Sequence, residues 1–210
     1  MVEEQIRARG VGDERVIRAM MKLPRHLFVS EGLWHQAYED HPLPVGSGQT
    51  ISQPYMVAAM TEALQVEKNH KVLEVGTGSG YQAAVLGLLA RAVYTVEVIA
   101  ELSFGARKLG QRLGFRNIRF RVGDGHEGWP EFMLYDRIMV TAAAETMPYG
   151  LVEQLADNGR IVVPIGPAGS QVLTLGVKHG TRLVQRSLMG CVFVPFVRVD
   201  KRVKSGGDGY

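Results

Sequence analysis

The chain has 210 residues, 46% apolar and 21% charged, with a formal net charge of +3 and one cysteine, Cys191. A core of that size removes roughly 70% of the extended surface from water, so no staple is needed, and a lone cysteine excludes an internal disulfide. The absence of any run of about 18 apolar residues excludes a membrane-spanning helix, and the charged start Met1-Val2-Glu3-Glu4-Gln5 lacks an apolar signal core. A cytoplasmic protein is expected.

Residues 2 to about 23 read as helix, with Val16, Ile17, Met20 and Leu23 at helical spacing, Asp13 as N-cap and Pro24 as the stop. Residues 26–44 carry Phe28, Trp34 and Tyr38 without periodicity and read as irregular with aromatic anchors. Gly46-Ser47-Gly48-Gln49-Thr50-Ile51-Ser52-Gln53-Pro54 then leads into an amphipathic helix. Val57, Met60, Thr61 and Leu64 form its stripe, and Pro54 suits its first turn. Ser52 stands where an N-cap belongs, and spacing ranks capping and catalysis equally.

From Lys71 the pattern alternates. Strands are predicted at 71–75, 92–97, 117–122 and 135–140, with helices at 81–90, 100–113 and 148–156. That alternation implies a parallel sheet covered on both faces. After Gly159, apolar runs at 160–165, 171–177, 183–188 and 191–194 are separated by short turns, which implies antiparallel strands at one edge. The cluster Arg107, Lys108, Arg112, Arg116, Arg119 and Arg121 reads as a solvated face, with a phosphate-backbone surface as the competing reading. Residues 199–210 have too little apolar content to pack and are expected to be disordered.

The chemistry is expected at the carboxyl ends of the parallel strands. The first ends in Gly76-Thr77-Gly78-Ser79-Gly80, a glycine turn opening a helix, which either cradles a nucleotide or serves only as a tight turn. The second ends at Glu97, twenty-one residues after Gly76 and followed by Val98, where a carboxylate can accept from both ribose hydroxyls. The third ends in Gly123-Asp124-Gly125, whose carboxylate suits an exocyclic amine; the fourth ends in Thr141 and three alanines, which leave room. The G-x-G-x-G spacing, with Glu74 just before it, favours a ligand whose appendage is an amino acid rather than a pyrophosphate. No G-x-x-x-x-G-K-[ST] occurs. S-adenosyl-L-methionine fits these features best.

The stretches Val45–Ala58 and Leu73–Gln82, with Glu97, Gly123-Asp124-Gly125, Val140–Ala143 and Phe193-Val194-Pro195, closely resemble the protein-L-isoaspartate O-methyltransferase family. The resemblance implies a Rossmann-like S-adenosylmethionine-dependent methyltransferase fold: a mostly parallel α/β sheet, antiparallel C-terminal strands and an N-terminal helical extension. It implies one domain over 1–198, with 1–54 as the helical and substrate-loop extension and 55–198 as the cofactor-binding core. It also implies methyl esterification of the free carboxylate of L-isoaspartyl residues in damaged proteins, with S-adenosyl-L-homocysteine as product.

By position, Ser52 is the family's active-site serine, and Thr50 and Ile51 belong to the covering loop. Pro195 and Phe196 would hold the substrate and close over the cofactor. Val197 departs from members that carry a hydroxyl residue there. A substrate carboxylate is ionised at neutral pH and needs no general base, and the six histidines show no metal-ligand spacing. A monomer without nucleic-acid or membrane partners is the expected working form. The rival readings are a methyltransferase for another substrate and a non-catalytic S-adenosylmethionine sensor.

Overall fold

A computed structural model of the chain describes residues 1–197, so the tail expected at 199–210 lies outside the described residues. The parallel strands fall where the apolar runs lie: β3 (Lys71–Val75), β4 (Ala92–Glu97), β5 (Ile118–Val122), β6 (Tyr135–Val140) and β7 (Leu155–Ile165). β3 pairs in parallel with β4 and β6, β4 with β5, and β6 with β7. Two antiparallel strands, β8 (Gln171–His179) and β9 (Arg182–Cys191), extend the sheet to the order β5-β4-β3-β6-β7-β8-β9.

Both faces of the central strands are covered, which is why β3 and β4 carry buried apolar residues on both faces, Val72 and Leu73 in one and Val93 and Tyr94 in the other. On one face Val72, Val93, Met139 and Val162 meet residues of α1 (Glu14–Lys22), α2 (Pro54–Leu64) and α3 (Tyr81–Leu89), among them Ile17, Met20, Leu64 and Leu86. α4 (Ala100–Arg112) follows β4 and packs on β4 and β5. On the other face Leu73, Val75, Val96 and Ile138 meet Tyr135, Met147 and Leu151. There the ring of Tyr94 lies between Trp129, Phe132 and Tyr135 at centroid distances of 4.6–5.6 Å. Among the described residues no helix is long and apolar enough to cross a membrane.

Four expectations need correction. The N-terminal helix is broken: a wide turn at Val2–Ile6 and a tight one at Arg7–Arg9 end at Gly10, whose φ of +92° leaves the helical region. α1 then begins behind Asp13, whose carboxylate accepts the Arg15 N–H at 2.9 Å as expected of an N-cap. The segment at 43–51 is a hairpin of β1 (Leu43–Gly46) and β2 (Gln49–Ile51). Ser47 (φ +51°) and Gly48 (φ +70°) form its tip, the paired positive φ of a tight hairpin turn.

The helix expected at 148–156 shrinks to α5 (Tyr149–Glu153), because the chain is already extended and paired with β6 from Leu155. The runs 183–188 and 191–194 are not two strands. β9 continues through Gly190 with one extra residue between the Thr174–Ser187 and Leu173–Met189 pairs, a bulge that keeps it on β8. Residues 192–197 instead cross the end of the sheet, where Pro195 bridges Ala143.

Candidate active site

β3 lies between β4 and β6, so the chain runs outward through β4 and β5 and then returns to β6 on the other side of β3. The cleft at that reversal is where an open α/β sheet binds ligands. The glycine turn occupies it. Gly76 has φ +96°, its N–H donates to the Val96 carbonyl at 2.9 Å, and a Cβ there would lie 2.2 Å from Thr141 Oγ1. The Thr141 hydroxyl in turn donates to the Gly76 carbonyl at 2.7 Å, so the ends of β3 and β6 are tied across the cleft. Gly78 (φ +52°) has open space where its side chain would be. Gly80 (φ +84°) opens α3, and a Cβ there would meet the Ala106 methyl at 2.9 Å, a close helix–loop approach that requires glycine.

Two carboxylates brace this cradle in different ways. Glu97, at the end of β4, accepts the Gly78 N–H at 2.8 Å and the Ile99 N–H at 3.0 Å, one on each oxygen, and still lines the cavity. Each oxygen keeps a lone pair for a further donor. Glu74 is fully buried under the turn. It accepts the Thr95 hydroxyl at 2.5 Å, and the Thr77 and Thr95 hydroxyls are linked at 2.5 Å, so the carboxyl reaches the turn only through two threonines. Desolvation, reinforced by the Glu97 charge, pushes Glu74 up to about 8. Asp124, after β5, accepts the His126 N–H at 2.8 Å and caps the turn Gly125–Glu127. Its carboxylate also faces His126 Nδ1 at 3.0 Å.

The cleft opens into a cavity of about 1000 Å³, counting the space open to solvent at its mouth. It brings together Thr50, Ile51, Ser52, Gly76, Thr77, Gly78, Ser79, Glu97, Val98, Gly125, Thr141, Pro195, Phe196 and Val197. Glu74, Gly80, Gly123 and Asp124 do not line it. Glu74 is held back by its place on the helix-covered face of β3, and Gly80 by its packing on α4. Gly125 does line it, with Val75 and Phe196 so near that a Cβ would lie 2.4 Å and 2.9 Å from them. The Phe196 ring stacks on His126 at 3.7 Å between centroids, and Phe196 N–H donates to the Ala143 carbonyl at 2.9 Å. These contacts fasten the segment 192–197 over one side of the cavity.

Ser52 is not the cap of α2. No side chain of the preceding residues caps that helix; the Tyr55 N–H is taken by Asp40 from a distant loop at 3.1 Å. The Ser52 hydroxyl has no hydrogen-bond partner among the described residues, while its carbonyl accepts from Arg25 at 2.7 Å. Val57 and Met60, read from the sequence as core stripe, also face the cavity, as do Tyr81 and Gln82 at the start of α3. Helical spacing signals burial but not what lies beyond the helix face, so only Tyr81 and Gln82, next to the glycine turn, had a local cue.

Glycines placed where a Cβ would fill the cleft, a single accessible carboxylate at Glu97 and a remaining lining that is mostly apolar or small, with Gln49 and Gln82, fit an adenosine-bearing ligand. Over residues 1–201 the sequence matches the protein-L-isoaspartate(D-aspartate) O-methyltransferase family. A protein-L-isoaspartate O-methyltransferase of Syntrophotalea carbinolica is 51% identical over 198 residues, covering 94% of this chain and 91% of the relative. One from Methanoculleus marisnigri is 52% identical over 197 residues, covering 94% and 90%. A solved protein-L-isoaspartate O-methyltransferase superposes with TM-score 0.83 at 31% identity over 93% of this chain, which spans 65% of that protein. A putative Plasmodium falciparum enzyme solved with S-adenosyl-L-homocysteine gives TM-score 0.80 at 25% identity, covering 93% and 96%. The chain belongs to the protein-L-isoaspartate(D-aspartate) O-methyltransferase family.

Proposed function

We propose that this chain uses S-adenosyl-L-methionine to esterify the free carboxylate of L-isoaspartyl residues in damaged proteins, releasing S-adenosyl-L-homocysteine and starting their return to aspartyl residues. The observation that carries this reading is the placement of Thr50, Ile51 and Ser52 on the wall of the same cavity as the glycine cradle. Bound there, the cofactor supplies an electrophilic methyl group on a sulfonium.

The remaining work falls to the chain's own groups. Glu97 offers lone pairs to ribose hydroxyls while its backbone bonds hold Gly78 in place, and Gly76, Thr77 and Ser79 admit the amino-acid end. Val98 and Thr141 close the sides. Asp124 shapes the Gly125 turn against which the base rests, and it acts on the ligand from the edge of the cavity. Glu74 supports the turn from below through Thr95 and Thr77.

The substrate carboxylate is already an anion at neutral pH, so it needs orientation and desolvation but no base. Among the described residues no His, Lys, Arg or Asp side chain lines the cavity, in keeping with that requirement. The Ser52 hydroxyl donates to the carboxylate and aligns it without protonating it. Ile51, Pro195 and Phe196 exclude water, which strengthens the attraction between anion and sulfonium. Alignment of this kind supplies roughly 7–11 kcal/mol in favourable cases.

Residues 1–198 act as one domain on this reading, with 1–54 carrying the substrate loop and 55–198 the cofactor. It works as a cytoplasmic monomer that binds neither nucleic acid nor membrane. The test is transfer from labelled S-adenosyl-L-methionine to matched peptides containing L-isoaspartate or L-aspartate. Base-labile label is expected on the isoaspartyl peptide alone; equal labelling, or none, contradicts the assignment.

A further inference from the structure

Among the described residues no cationic side chain lines the cavity that must receive an anion, yet Arg25 holds the carbonyl of Ser52, which does line it. Arg25 is fully buried, in the tight turn Arg25–Phe28 that follows Pro24. Its Nε donates to the Ala37 carbonyl at 2.7 Å and its Nη2 to the Ser52 carbonyl at 2.7 Å, while its guanidinium lies over the Tyr81 ring at 4.8 Å. Nη1 has no partner among the described residues. Asp40, whose charge acts on it, makes no ion pair with it; Asp40 accepts the Tyr55 N–H and the Gln53 amide and pairs with Arg9. Both Ser52 and Tyr81 line the cavity.

A buried guanidinium stays charged at neutral pH and is costly without a counter-ion. Two carbonyls, a ring face and the charge of Asp40 offset part of that cost, but among the described residues no carboxylate forms an ion pair with it. We infer that Arg25 is a positioning residue of the active site: it ties the Ser52 carbonyl to the Ala37 carbonyl, so that the serine hydroxyl is held at the wall, and its charge, held in no ion pair, makes that wall attractive to the substrate carboxylate. The inference rests on the isoaspartyl reading above. A carboxylate arriving at Ser52 adds the counter-charge that no ion pair among the described residues supplies to Arg25. Arg25 acts through Ser52 and touches no reacting atom.

The experiment compares Arg25→Met and Arg25→Lys with the unaltered chain. It measures kcat and KM for an isoaspartyl peptide, and S-adenosyl-L-homocysteine affinity by calorimetry. Arg25→Met is expected to raise the peptide KM by roughly 10–100-fold, the size of a lost charge-assisted interaction, with product affinity within about threefold. Arg25→Lys, which keeps the charge but only part of the fork, is expected to fall between the two. An unchanged KM in either variant, or a lysine variant no better than methionine, overturns the inference. So does an equal loss of peptide and product binding, which marks a purely structural role. If Arg25→Met does not fold, a raised KM with intact product affinity in Arg25→Lys supports the inference, and an unchanged KM overturns it. Failure of the unaltered chain to methylate the peptide removes the isoaspartyl reading itself, and the inference with it; loss confined to the variants bears on Arg25 alone.

Discussion

At the scale of residues, the site divides into groups that touch ligands and groups that hold them. Ser52→Ala removes one donor to an anion and is expected to slow methyl transfer roughly 10–100-fold while leaving cofactor affinity unchanged. Collapse of cofactor binding in that variant would return Ser52 to a structural role. Asp124→Ala is expected to do the reverse, weakening S-adenosyl-L-homocysteine binding in calorimetry because the turn at Gly125 loses its cap. Glu74 gives a pH signature. Its carboxyl, ordinarily near 4.5, is held up to about 8 by burial, so the folded protein keeps a proton that the unfolded chain releases. The stability from that proton is complete below about 4.5 and is lost as pH rises through about 8. Thermal melts of Glu74→Gln are expected to gain on the unaltered protein steadily across that window, and parallel melts at every pH would contradict it. The sequence placed Glu74 beside the ligand because it adjoins the glycine turn. Strand alternation sets its side chain on the helix-covered face of β3, where it reaches the turn through Thr95 and Thr77.

At the scale of elements, the glycine turn is shaped by close approach as much as by φ. Gly76→Ala would set a methyl 2.2 Å from Thr141 Oγ1 at a φ of +96°. It is expected to cost about 1–3 kcal/mol in unfolding free energy and to weaken cofactor binding at least tenfold. Chemical denaturation and calorimetry check the two effects separately. β3 to β6 were legible because each is a short segment rich in β-branched, aromatic or other apolar residues that ends in a glycine, a carboxylate or small residues. The hairpin of β1 and β2 was not, because Gly46, Ser47 and Gly48 suit an irregular loop as well as a tight turn with positive φ. The break at Gly10 was missed for a related reason: a single glycine is tolerated within helices, and only the chain's need to turn shows which outcome prevails.

At the scale of the whole molecule, the strand order explains why residues from stretches far apart in the chain meet. The return from β5 to β6 opens the cleft beside β3, the hairpin and α2 close one side, and residues 192–197 close the other. Alternation of strand and helix made the parallel sheet readable, whereas the path of 192–197 across the sheet depends on pairing with Ala143, a partner about fifty residues earlier that no local pattern announces. The central claim is that this cavity admits an isoaspartyl carboxylate and begins its repair. It is tested most directly by incubating an isoaspartyl peptide with the protein and S-adenosyl-L-methionine and separating the peptide forms over time. Loss of the isoaspartyl form, a transient methyl ester and accumulation of the aspartyl form are predicted only when protein and cofactor are both present. Persistence of the isoaspartyl peptide, or esterification of the aspartyl peptide at the same rate, would contradict the account.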